Sequence, residues 1–130
     1  MKKTLLFSAA FLSVVLVSVH AFTRPTPVMH VVVFKYKSTA AAADIKAVTD
    51  AFVALRHKIP GIRSFQFGTN NSTENLNKGF THAYVITFEN TQARDAYLPH
   101  PEHKKFVEML TAKQILEEPF VIDFEIQNVE

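Results

Sequence analysis

Between Val28 and Gln127 the spacing of apolar residues switches back and forth between two and about 3.6, and the order of the switches limits the folds open to this chain. Val28 to Tyr36 alternates, with Met29, Val31 and Val33 on one face and His30, Val32, Phe34 and Tyr36 on the other. Ser38 or Thr39 suits a helix cap, and Ala40 to Ala43 favour a helix. Ile45, Val48, Phe52, Leu55 and Ile59 then recur every three or four residues, an amphipathic stripe that Pro60-Gly61 ends. A second strand is predicted over Ile62 to Gly68 and an Asn-rich polar loop over Thr69 to Gly79. A third strand, Phe80 to Glu89, puts His82, Tyr84, Ile86 and Phe88 on one face. Thr91 to Leu98 predicts a short helix, and Pro101 suits the first turn of a longer one reaching about Gln114. Phe120 to Gln127 predicts a last strand, with Phe120, Ile122, Phe124 and Ile126 alternating against Val121, Asp123, Glu125 and Gln127. The order is β-α-β-β-α-β, the split βαβ pattern of ferredoxin-like α+β domains: a four-stranded antiparallel sheet with helices on one face.

The residues before this pattern have a different character. Lys2 and Lys3 precede an apolar run from Leu5 to Val19, and Val19-His20-Ala21 offers residues a signal peptidase tolerates. Residues 1–21 therefore read as a signal peptide, 22–27 as a linker containing Pro25 and Pro27, and 28–130 as the domain. The apolar run is short for a membrane span, so a periplasmic or extracellular protein without stable membrane association is expected after cleavage. With no cysteine, the domain has no disulfide and holds together by burial. The full chain carries a net charge of +2, and loss of the two leader lysines leaves twelve bases against twelve acids. Nothing in that balance favours nucleic acid. Twelve phenylalanines in the full chain are many for this size, and a sheet with helices on one side leaves its other side bare. A homodimer that pairs those bare faces is the expected solution. Asn71-Ser72-Thr73 matches a glycosylation sequon but sits in a segment that reads simply as a polar loop.

The chemistry-bearing stretch is "YLPHPEHKKF", Tyr97 to Phe106. A helix opened by Pro101 puts His103 in its first turn, on one stripe with Phe106 or Val107 and Leu110. The positive end of the helix dipole disfavours imidazolium there, and a neutral imidazole is what a general base needs. Tyr97, just before the proline turn, supplies a phenol to orient a substrate oxygen or the imidazole. By strand phase His30 and His82 face the helices, and the first and third strands of this topology are central neighbours. His30 and His82 are thus expected close together, meeting His103 and Tyr97 in an apolar pocket. The candidate catalytic residues are His103 and Tyr97; the candidate binding residues are His30, His82 and His100. The plainer alternatives are a hydrogen-bonded core role for the inward histidines and a turn or cap role for His100. With no cysteine, no HExxH and no cofactor motif, no metal or cofactor is expected.

The segments "MHVVVFKYK", "IPGIRSFQFGTNNSTENLNKGFTHAYVITFEN" and "AYLPHPEHKKF" resemble the stress-responsive A/B barrel (Dabb) domain, a branch of the dimeric α+β barrels. The resemblance spans about Met29 to Ile126, and its most specific part is the pair "GFTH" and "YLPHPEH". It implies a ferredoxin-like fold, a homodimer whose sheets form a barrel, and a pocket between sheet and helices. From a plant polyketide cyclase of that family it carries a catalytic histidine onto His103, its tyrosine partner onto Tyr97, and two pocket histidines onto His30 and His82. Two functions stay open. One is a secreted homodimer binding a small apolar or aromatic molecule without catalysis. The other is a lyase or polyketide-cyclase-like enzyme using a His/Tyr acid-base pair without a cofactor.

Overall fold

Alternation at Val28 to Phe34 becomes one of the two central strands of the sheet. The computed structural model describes residues 25–127; the expected signal peptide, the first half of the linker and residues 128–130 lie outside them. The elements are β1 (Val28–Tyr36), α1 (Ala42–Ala54, continued by a 3-10 turn, Leu55–His57), β2 (Ile62–Thr69), β3 (His82–Phe88), α2 (Thr91–Tyr97), α3 (Pro101–Lys113) and β4 (Leu116–Glu125). The sheet order is β2-β3-β1-β4 with every neighbouring pair antiparallel. This is the α+β ferredoxin-like arrangement.

The strands β2 and β3 and the end of β4 differ from expectation by one or two residues, and two other boundaries by more. Ser38 and Thr39 lie in a turn closed by Ala40 N–H donating to Lys37 C=O, and α1 starts later, at Ala42, with no side-chain cap. The last strand begins at Leu116, four residues before Phe120, and includes Pro119. Proline usually argues against a strand, but β4 is the sheet edge, where a nitrogen facing away from β1 forfeits no ladder bond.

The helices cover the face carrying Val28, His30, Val32 and Phe34 of β1 and Tyr84, Ile86 and Phe88 of β3, all buried. Phe52 of α1 is the hub of the core: its ring stacks on Phe106 of α3 at 4.4 Å and on Phe34 at 5.9 Å, and meets Phe65 edge-on and Tyr84 at a tilt. Gly61 makes the turn into β2 at φ +86°, and a Cβ there would sit 2.6 Å from that of Ala93 in α2, so side chain and backbone both demand glycine. The opposite face of the sheet is apolar and uncovered by this chain. Phe120, Ile122 and Phe124 of β4 are 50%, 45% and 47% exposed, beside the half-buried Met29, Val31 and Val33 of β1.

Candidate functional site

The turn from α2 to α3 brings the site together. Asn90 caps α2 by accepting from Ala93 N–H at 2.8 Å, and seven residues later α2 delivers Tyr97 into the core. His100 then caps α3: its Nδ1 accepts from Glu102 N–H at 3.2 Å, while Pro101 fills the first helical position. That is a structural duty for His100, the plainer of the two expected for it. One turn on, half-buried His103 donates its Nδ1 proton to the Leu98 carbonyl at 3.0 Å. A carbonyl only accepts, so Nδ1 carries the hydrogen and Nε2 keeps its lone pair. Burial lowers the His103 pKa, and the nearby His30 and His100 push it further down against the Leu98 bond.

His30, only 5% exposed, is anchored from the other side. Its Nδ1 lies 2.6 Å from Oδ1 of Asp123 on β4, its register partner, whose other oxygen accepts from Nη1 of Arg94 on α2. Nε of Arg94 also donates to Asp95 at 2.8 Å. Tyr97 packs between the two imidazoles, with ring centroids 4.3 Å from His103 and 5.8 Å from His30, and against Phe88 at 5.0 Å. The phenol is fully buried, which raises its pKa, and its hydroxyl has no hydrogen-bond partner.

Beside this trio lies a cleft of about 510 Å³ between α3 and the β1–β4 side of the sheet. His30 and His103 line one end, and the walls between are apolar, with Val32, Phe106, Leu110 and Val121. Thr111, Gln114 and Glu117 line the other end. Tyr97 does not reach the cleft wall in this conformation; it backs the imidazoles that do. The size suits a small-molecule site, and so does the apolar lining with a few converging polar groups.

His82 is elsewhere, contrary to the expected meeting of three histidines. It pairs with Phe34, whereas His30 pairs with Ile86, so the two histidines stand four residues apart along the strands, about 13 Å. His82 meets Tyr36 edge-on at 5.0 Å and lines a second, more open cleft with Thr49 and Phe67. Burial lowers its pKa. Behind that cleft a chain of hydroxyls runs from Thr49 through buried Tyr84 (2.8 Å) to Tyr36 (3.4 Å).

The site also contains two residues that sequence reasoning passed over. Asp123 shares its strand phase with Glu117, Glu125 and Gln127, so it reads from the sequence as an outward acid, and only its pairing with His30 turns it inward. Arg94 had no signal either, because its partner lies 29 positions away.

Comparison with known proteins agrees with this architecture. The family model for the stress responsive A/B barrel domain matches residues 28–126. The stress-response A/B barrel domain-containing protein HS1 of Arabidopsis thaliana is 30% identical over 103 residues, covering 79% of this chain and 93% of HS1. Olivetolic acid cyclase of Cannabis sativa is 29% identical over 79 residues, 61% of this chain and 78% of the cyclase. A dimeric ferredoxin-like protein from Jannaschia sp. CCS1 superposes with a TM-score of 0.66 at 25% identity, over 77% of this chain and 99% of its own. By sequence and by fold, then, the chain belongs to the stress-responsive A/B barrel domain family.

Proposed function

We propose that this protein is an exported homodimer that binds a small apolar or aromatic molecule in the cleft between α3 and the sheet. One observation carries the reading: an apolar cleft ends in two imidazoles, each anchored through Nδ1, so Nε2 is the nitrogen each has left for a ligand. Export rests on the lysine start, apolar run and Val19-His20-Ala21 ending of the leader. The dimer rests on the bare apolar face of the sheet, and the dimeric relative from Jannaschia supports it. A crystal of the mature protein soaked with a metabolite mixture tests the binding reading. Ligand density against His30 and His103 is expected; density only on the outer surface refutes it. Intact mass of the secreted protein tests the leader: a chain beginning at Phe22 is expected, and a membrane-bound species retaining Met1 contradicts it.

The second reading is catalysis, with His103 as general base on an acidic C–H. Its lowered pKa and bare Nε2 favour it, as does the 29% identity to a cyclase. Tyr97 then acts through His103 by fixing its ring, and His30, held by Asp123, binds a substrate oxygen.

A further inference from the structure

We infer that the cleft is a groove for one extended aliphatic chain, roughly ten to thirteen bonds long, whose hydroxyl end donates to Nε2 of His103 and whose tail ends beside Gln114 and Glu117. This deepens the small-molecule reading above and rests on it.

The shape comes from which residues line the cleft. On α3 they are His103, Phe106, Val107, Leu110, Thr111 and Gln114, a single stripe running from the first turn to the C-cap. Eleven residues of helix span about 16 Å. The sheet gives a second ruler. His30, Val32 and Phe34 of β1 line the floor, four residues or about 13 Å from end to end, with Val121 and Pro119 of β4 beside them. A saturated chain advances about 1.2 Å per bond, as an extended backbone does over its three bonds per residue, so these lengths hold about ten to thirteen bonds.

The chemistry along the groove fits such a chain. The middle offers Val32, Phe34, Phe106, Leu110 and Val121, with no polar side chain to pair a mid-chain oxygen. Burying one there would leave it unsatisfied. At the His103 end, Nε2 carries a lone pair and asks for a donor, hence a hydroxyl head. At the far end Thr111, Gln114 and Glu117 restore polarity, with the Glu117 carboxylate held by Lys35 at 2.7 Å. A compact ring system would fill one end and leave the rest of the apolar stripe wet.

Calorimetric titration of the mature dimer with primary n-alkanols from hexanol to pentadecanol tests this. Kd is expected to fall about fourfold per methylene, as one buried CH₂ gives, and to level off at ten to thirteen carbons. Val121 stands two strand residues from Asp123, the register partner of His30, about 7 Å along, and is 48% exposed, so Val121→Trp is expected to fold and to move the plateau to about six carbons. A wild-type plateau at six or fewer carbons, a gain continuing to pentadecanol, or a plateau unmoved by Val121→Trp overturns the groove. It leaves the small-molecule site standing. Absence of binding at every length overturns the groove in the same way, whereas polypeptide filling the groove in crystals of the dimer removes both.

Discussion

The Tyr97 hydroxyl is the most costly group in the site when no ligand is bound. A buried hydroxyl without a partner forfeits about 1 to 3 kcal/mol, so Tyr97→Phe is expected to leave stability unchanged or raise it by about 1 kcal/mol. Thermal unfolding of the variant checks this; a clear loss would mean that the hydroxyl is satisfied in solution. If His103 is a base, His103→Gln should fold normally and lose turnover by about two to four powers of ten. Tyr97→Leu removes the ring that packs on the imidazole, and the double variant with it should then lose less than the product of the single losses. Both His103 and His82 have pKa values pushed below the ordinary 6.5 by burial, so below that pH the unfolded chain binds more protons than the folded one. Stability should therefore be complete above about pH 6.5 and fall as the pH drops through and below it. Chemical denaturation between acid and neutral pH should show this slope, reduced in His103→Gln and in His82→Gln. Alternation revealed which face His30 and His82 share, because phase is a local property. It carried no information on their distance, since the register that separates them is set by pairing between residues 48 to 60 positions apart, from Phe34↔His82 to Val28↔Phe88.

The α2–α3 turn supports the site as an element. His100 contributes as a cap, so His100→Ala should cost about 1 kcal/mol, and His100→Asn should restore most of it. Ligand affinity that fell far more than stability in His100→Ala would give His100 a binding role after all. Gly61 locks α2 against the start of β2, and Gly61→Ala meets both left-handed strain and the Ala93 methyl, a loss of about 2 to 4 kcal/mol in denaturant titration. These elements were legible where the local code was strong: Pro60-Gly61 as a stop and Pro101 as a start. The first four residues of β4 were not. Pro119 contradicts strand propensity, and only the strand's place at the sheet edge makes it tolerable.

At the scale of the whole molecule, the uncovered sheet face is the expected seam between two copies. Phe124→Lys on that face should turn the dimer into a monomer by light scattering at micromolar concentration, while the circular dichroism of the fold persists. A wild-type monomer in the same measurement would discard the barrel assembly. Composition points to the same seam, because the nine phenylalanines between residues 28 and 130 are many for one small core. Strand β4 contributes to both the uncovered face and the cleft. Its Phe120, Ile122 and Phe124 face outward, while Val121 and Asp123 face the cleft and His30. Replacements at alternate positions can thus drift independently, one set changing how copies recognise each other and the other changing what is held. Inserting or deleting a single residue has a different consequence: it exchanges the two sets, putting a carboxylate on the seam and phenylalanines in the cleft. Among descendants of this chain, length variation should accumulate in the polar loop between β2 and β3 and be purged from β4, a signature that counting gaps across a lineage would reveal.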